Sequence, residues 1–84
     1  MSTIIKPVEG CKLGHIVLAN NKYYYVDSRF VNPLAHSSYE TMVFKADADG
    51  NVSDWMGVYT ERYVTYPEMA YRHEYIINNL EEVL

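Results

Sequence analysis

Short runs of apolar and aromatic residues, separated by turn-forming residues, occupy much of the chain, and apolar residues follow a helical period near its C-terminal end. The apolar run His15–Ala19 and the tyrosine-rich run Lys22–Val26 have the composition of β-strands. Asn20 and Asn21 separate them, and asparagine tolerates the positive φ angles of a tight turn. The pattern predicts a β-hairpin with strands 15–19 and 22–27, the second of which can continue to Phe30.

A second hairpin is predicted after Tyr39. Residues Tyr39–Ala46 form a third strand-like run, and Asp47–Asn51 contains an Asp-Gly pair, which favours a hairpin turn. A fourth strand is predicted from Val52 to about Tyr59, and residues 61–64 either extend it or form a bend. Gly57, inside this predicted strand, indicates a bulge or a close approach of the backbone.

Two further segments precede the C-terminal helix. Thr3–Lys6 has the character of a short edge strand, and Pro7 suits the end of such a strand. Residues 31–38 contain Asn, Pro and Ser and are predicted to be the longest loop of the domain. A long loop in a compact domain is often functional, and disorder is the competing interpretation.

An amphipathic helix is predicted from Thr65 to the end of the chain. Thr65 and Glu68 have the spacing of a capping box, in which each side chain accepts a hydrogen bond from an otherwise unpaired backbone N–H. Pro67 is compatible with the first helical turn. The positions predicted to face inward are Met69, His73, Ile76, Ile77, Leu80, Val83 and Leu84. The positions predicted to face mainly solvent are Arg72, Glu74, Asn78, Asn79, Glu81 and Glu82.

Together these elements predict a single α+β domain over residues 1–84. Two hairpins give an antiparallel β-sheet of three to five strands, with one C-terminal amphipathic helix packed on one face. The opposite face is then solvated, or it is buried against a second copy of the chain or another protein.

The composition limits the classes of partner. The seven Lys and Arg residues are dispersed and the formal net charge is −4, which argues against nucleic acid because nucleic-acid sites need clustered basic residues. No apolar run approaches the ~20 residues of a membrane span. The lone Cys11 and the lack of a signal peptide predict a cytoplasmic protein. A domain this small without disulfides also raises the expectation of a homo-oligomer.

No metal or cofactor is predicted. Counted as a calcium loop, the Asp47–Asn51 turn would place Lys45 at the first ligand position, so a simple hairpin turn is favoured. His15, His36 and His73 lack the spacing of a metal site, and His73 is interpreted as a hydrogen-bonded core residue. Cys11 has no motif that would activate it as a nucleophile. With no converging acid, base and nucleophile, the chain is not expected to be an enzyme.

Aromatic and arginine residues supply the candidate binding site. The chain has nine Tyr but only one Trp and two Phe, and Tyr serves strands, core edges and interfaces equally well. The candidate binding residues are Tyr23, Tyr25, Arg29, His36, Trp55, Tyr59 and Arg62. The competing interpretation makes Trp55 the core aromatic of the fourth strand and pairs Arg62 with Glu61 or Glu68.

Residues 39–80 carry a recognisable pattern. It consists of Glu-Thr-Met-Val-Phe at 40–44, an Asp-Gly turn, Val52 followed by Trp55, Arg62-Tyr63, and then an acidic helix. The pattern resembles a group of small uncharacterised proteins of tailed bacteriophages and prophages. Arg72-His73 stands here where a Gly-His pair is commoner in that group. The resemblance bears on origin and fold, and it brings no activity with it.

Three functions are consistent with this reading of the sequence. The first is a non-enzymatic, phage-encoded binding protein that modulates or inhibits a host factor or a defence system through protein–protein contact, by analogy with other small phage proteins. The second is an oligomeric small-molecule or nucleotide binder, in which aromatics stack on a base and Arg29 or Arg62 contacts a phosphate. The third is a minor virion or assembly component.

Overall fold

A five-stranded antiparallel sheet forms the body of the protein, and its strands lie side by side in chain order. The computed structural model describes residues 2–10, 13–32 and 36–84. The strands are β1 (Thr3–Pro7), β2 (Leu13–Ala19), β3 (Lys22–Phe30), β4 (Tyr39–Ala46) and β5 (Tyr59–Tyr63); helix α1 (Tyr66–Asn78) and the short helix α2 (Leu80–Val83) follow. The α+β class and the packing of the C-terminal helix on the sheet are therefore confirmed.

The first hairpin forms as predicted. Asn20 and Asn21 have φ angles of 52° and 62°, the double positive φ of a type I′ turn, which matches the twist of the flanking strands. β3 continues to Phe30, and β1 pairs with β2 as an edge strand. Cys11 lies outside the described residues, and the predicted 31–38 loop is described only in part.

The predicted fourth strand is wrong. Asp47 does begin a turn, since its carboxylate accepts hydrogen bonds from the N–H groups of Asp49 and Asn51, both at 2.9 Å. However, residues 51–58 are irregular, and the strand that pairs with β4 is β5. The segment predicted as a strand is a loop that packs Val52 on the sheet.

Helix α1 begins where predicted. The Thr65 hydroxyl accepts a hydrogen bond from the Glu68 N–H at 3.4 Å, and Glu68 in turn accepts one from the Val64 N–H. The helical path is interrupted at Asn79, so the predicted single helix is two. Leu84, predicted to face inward, is 43% exposed because it follows the last turn. No helix in the described part of the chain is long and apolar enough to cross a membrane.

Apolar clusters cover both faces of the sheet. On the face under α1, called here the helix face, the cluster consists of Val17, Ala19, Tyr24, Val26, Val43, Ile76, Ile77 and Leu80. On the opposite face, called here the outer face, Ile16, Tyr25 and Phe44 form a smaller cluster. The β4–β5 loop, residues 47–58, packs Val52 against this second cluster. The outer face is therefore partly covered by the chain itself.

Candidate functional site

Charged residues form a row across the part of the outer face that the β4–β5 loop leaves open. The register places Arg29 of β3 opposite Glu40 of β4, and Glu40 opposite Arg62 of β5. Side chains that face each other across antiparallel strands are within reach of one another. Arg62 accordingly donates from Nε to Glu40 Oε2 at 3.0 Å. The prediction that Arg62 pairs with Glu61 or Glu68 is wrong, because Glu61 points to the other face.

A second ion pair lies beside this row. Arg29 contacts Asp27 through Nε at 2.6 Å and through Nη2 at 2.5 Å. The Asp27 and Glu40 side chains are only 8% and 10% exposed, whereas those of Arg29 and Arg62 are 60% and 57% exposed. A molecule approaching from solvent therefore meets two guanidinium groups, held in place by carboxylates beneath them.

Trp55 stands next to these ion pairs and is largely open to solvent. Its ring meets those of Tyr25 and Phe44 at centroid distances of 6.0 and 5.0 Å, in edge-on orientations that favour aromatic pairs. These contacts fix the ring, yet Trp55 remains 62% exposed and the adjacent Met56 is 76% exposed. The interpretation of Trp55 as a core aromatic of a strand is therefore wrong.

The Asp27–Arg29 ion pair, Glu40 and Trp55 line a shallow cleft of about 410 Å³. Its lining residues are Asp27, Arg29, Val31, Glu40, Met42, Phe44 and Trp55. The lining combines the aromatic rings of Phe44 and Trp55 with the charged side chains of Asp27, Arg29 and Glu40. Such a cleft suits a group that is flat or apolar on one side and polar on the other.

The structure brings five of the seven predicted binding residues to the outer face. They are Tyr23, Tyr25, Arg29, Trp55 and Arg62, placed by strand alternation or by the loop. Tyr59 lies on the helix face instead, where its hydroxyl donates to Glu61 Oε2 at 2.6 Å. His36 is exposed in the β3–β4 loop. Asp27 and Glu40 were not predicted, because their role depends on the cross-strand register.

A second concavity of about 600 Å³ lies at the start of α1. Its aromatic side is formed by Phe30, Tyr39 and Tyr66, with centroid distances of 5.4 Å between the first two and 6.1 Å between the last two. The remaining lining residues are Gly10, Leu13, Asp27, Ser28, Arg29 and Met69. Its size and aromatic lining are typical of small-molecule sites.

A chain of polar side chains runs beneath α1 and was not predicted apart from the inward position of His73. His73 contacts His15 through Nε2 at 2.8 Å and Ser28 Oγ through Nδ1 at 2.6 Å. Ser28 Oγ lies 2.5 Å from Thr41 Oγ1, which lies 3.0 Å from the Tyr63 hydroxyl. Because His73 is buried and His15 is close by, the pKa of His73 is lowered to about 4, so its ring is neutral at pH 7.

Glu61 is the last member of this series of hydrogen-bonded side chains, and it attaches α1 to β5. Its carboxylate accepts two hydrogen bonds from Arg72 at 2.7 and 3.0 Å, one from Tyr59 and one from Tyr63 at 2.8 Å. Hydrogen bonds from Arg72 hold the pKa of Glu61 at about 2. Burial raises the pKa of Tyr63 far above its usual value, so that phenol keeps its proton. Arg72, predicted to face solvent, is thus turned toward the sheet by this ion pair.

The Ser28–His73–His15 arrangement has the residue types of a nucleophile with its base. Ser28 is only 4% exposed, however, and its oxygen also contacts Thr41, so the hydroxyl already has two protein partners. Within residues 2–10, 13–32 and 36–84 no group of three or more His, Cys, Asp or Glu is placed to hold a metal ion. In the same ranges every buried side-chain N or O atom has a hydrogen-bond partner. The hydrogen-bonded side chains under α1 therefore form a closed polar network.

Comparison with known proteins finds no matching protein-family model, no matching curated protein and no matching solved structure.

Proposed function

We propose that this chain is a non-enzymatic binding protein, encoded by a bacteriophage or prophage, that contacts a protein partner through its outer sheet face. The observation that carries the proposal is the state of Trp55, which is fixed by two aromatic rings and still 62% exposed. A fixed aromatic loses little side-chain entropy when a partner covers it. In line with the resemblance to phage proteins, the partner is a host factor or a component of a defence system.

The neighbours of Trp55 support the same function. Trp, Tyr and Arg are the residue types enriched at binding hot spots. Trp55 and Arg29 line one cleft together with Glu40, and Glu40 in turn holds Arg62. The two guanidinium groups are oriented in advance by Asp27 and Glu40. They can donate further hydrogen bonds to a partner's carbonyl or carboxylate groups without first becoming ordered.

The test compares two aromatic-to-alanine variants. Trp55→Ala removes the proposed anchor, and Tyr71→Ala removes a ring that is 72% exposed on α1, away from the outer face. Proteins captured from bacterial lysate by the wild-type chain are identified, and the Kd of the purified complex is then measured for each variant. We expect Trp55→Ala to weaken binding by at least 30-fold, as about 2 kcal/mol at a hot spot implies, and Tyr71→Ala to leave it unchanged.

Two results contradict the proposal. One is a partner that both variants bind as tightly as the wild type. The other is a protein that remains monomeric in sedimentation experiments and captures nothing from lysates of several bacterial hosts. A dimer that Trp55→Ala dissociates assigns the outer face to a second copy of the chain instead.

The 600 Å³ concavity favours a second candidate function, the sequestration of a small aromatic or nucleotide-like ligand. Phe30, Tyr39 and Tyr66 offer ring faces and edges for a base, and Arg29 lies at the same concavity. The test is a thermal-shift screen against nucleotides and cyclic dinucleotides. A rise in Tm that Phe30→Ala abolishes and Trp55→Ala retains supports this candidate, and no shift at saturating ligand excludes it for these compounds.

A further inference from the structure

The proton positions in the polar network under α1 follow from its charged end. Glu61 is an anion at neutral pH and can only accept hydrogen bonds. The Tyr63 hydroxyl lies 2.8 Å from Glu61 Oε1 and 3.0 Å from Thr41 Oγ1, but it has one proton to share between them. That proton belongs to the bond with Glu61, because two oxygens at 2.8 Å without a hydrogen between them repel each other.

Each remaining proton is then assigned in turn. Thr41 donates its proton to Tyr63, so Ser28 must donate to Thr41 across their 2.5 Å contact. Ser28 has no further proton, and His73 therefore donates from Nδ1 across the 2.6 Å contact between them. The neutral His73 ring then has a bare Nε2, which accepts a hydrogen bond from His15 Nδ1 at 2.8 Å.

We propose that Glu61 orders this network into one directed chain of hydrogen bonds that ends at His15, and that the chain makes the attachment of α1 a two-proton switch. The first proton binds at His15 Nε2 and is tolerated, because His15 continues to donate from Nδ1. The second proton must bind at His73 Nε2, where it would oppose the His15 N–H. That contact would break, and α1 would separate from the sheet.

Few other charges face the histidine pair. Glu61 of β5 and Arg72 of α1 lie at the end of the hydrogen-bonded network that is distant from the histidines, and their charges neutralise each other. From β3 and β4 the pair meets the uncharged Ser28 and, beyond it, Thr41. Lys6 of β1 is exposed and directs its amine to the Asp49 carbonyl in the β4–β5 loop. Among the described residues, the charge felt most by one histidine is therefore that of the other.

The tautomers of the two histidines test the proposal directly. In ¹⁵N-labelled protein at pH 7.5, long-range correlation spectra distinguish protonated from unprotonated ring nitrogens. We expect protonated Nδ1 and unprotonated Nε2 in both His15 and His73, with the exposed His36 as an internal control in the same spectrum. A proton on Nε2 of His73 would overturn the directed chain.

Two variants test whether Glu61 sets the direction. Glu61→Gln introduces an amide that can donate to Tyr63, so we expect the proton of His73 to move toward Nε2. Tyr63→Phe cuts the chain while leaving the Glu61–Arg72 ion pair in place, and His73 should then populate both tautomers. The matched control is Glu82→Gln, since Glu82 contacts Tyr75 outside the chain. Unchanged His73 tautomers in a folded Glu61→Gln or Tyr63→Phe protein contradict the proposal.

A pH titration tests the switch separately. We expect the ring signals of His15 to titrate first, with the amide signals of α1 unchanged, and the α1 signals to be lost only when His73 binds its proton. His15→Asn keeps an amide near the position of Nδ1 and cannot titrate, so it should abolish the first step and retain the second. Simultaneous titration of both histidines, or loss of α1 in the first step, would rule out the switch.

Discussion

His73 shows how much the behaviour of a single residue depends on its surroundings. It is 2% exposed, and both of its ring nitrogens have partners inside the protein. Burial disfavours a charged imidazolium ring, and a protonated His15 nearby disfavours it further. The folded chain therefore resists a proton that the unfolded chain binds readily.

This difference predicts that the free energy of unfolding falls in acid. The pKa of His73 is about 4 when folded and near 6.5 when unfolded, so the stability contributed by the neutral ring is complete above pH 6.5. It declines as the pH falls from 6.5 through 4, by about 3 kcal/mol in total. Urea unfolding between pH 7.5 and 4 measures the decline. His73→Gln should flatten it, His36→Gln should not, and equal slopes in all three proteins would contradict the assignment.

The sequence predicts part of this site for a clear physical reason. The helical spacing of apolar residues placed His73 on the inward face of α1, and the structure confirms it. Its partners Ser28 and His15 lie 45 and 58 residues away along the chain. They meet because the register of β2, β3 and α1 aligns them, and a single sequence gives no measure of register. Asp27 and Glu40 were missed on the outer face for the same reason.

At the scale of elements, the β4–β5 loop is the main departure from the predicted fold. Its Asp-Gly pair is typical of a hairpin, yet the chain leaves β4 and crosses the outer face before returning as β5. Val52 packs on the cluster that contains Ile16 and Phe44. Local preference cannot distinguish a strand from a loop that packs an apolar residue such as Val52 on a sheet, because that contact depends on residues distant in the chain.

Alanine substitutions at two glycines of this loop test how closely it packs on the sheet. Gly50 has a φ of +87°, and a Cβ atom there would meet Ile16 at 3.0 Å. Gly50→Ala should therefore lower the free energy of unfolding by roughly 1–2 kcal/mol. Gly57→Ala is the matched control: its Cβ would lie 2.8 Å from the flexible end of Met42, which can move, so the change should stay within about 1 kcal/mol. Urea denaturation of both variants gives the comparison, and equal losses would contradict the close packing at Gly50.

Trp55 reports on the same loop through its fluorescence. Because it is the one Trp in the chain and is 62% exposed, iodide should quench its emission in the folded protein nearly as well as in urea. A Trp within the predicted fourth strand and buried in the core would be protected several-fold. Strong protection in the folded monomer would therefore restore the strand interpretation. Protection that appears only when a partner is added would support the proposed binding face.

At the scale of the whole molecule, the two apolar clusters have unequal roles. The helix face has the larger cluster, to which α1 contributes Ile76 and Ile77 and α2 contributes Leu80. The outer face has three buried apolar residues under a loop, beside a row of ion pairs. A small domain has little stability to spare, so the better-covered face must supply most of it. The outer face can then expose Trp55 without endangering the fold.

This division predicts different effects from two isoleucine variants. Ile76 of α1 is fully buried against the sheet, whereas Ile5 of β1 is 41% exposed at the sheet edge. Ile76→Ala leaves a cavity at the contact that attaches the helix and should lower the free energy of unfolding by about 2–5 kcal/mol. Ile5→Ala removes the same atoms from a solvated edge and should lower it by less than about 1 kcal/mol. Urea unfolding monitored by circular dichroism measures both changes. A similar loss in the two variants would mean that the helix face is not the principal core, and that the outer face cannot be left open for a partner without a loss of stability.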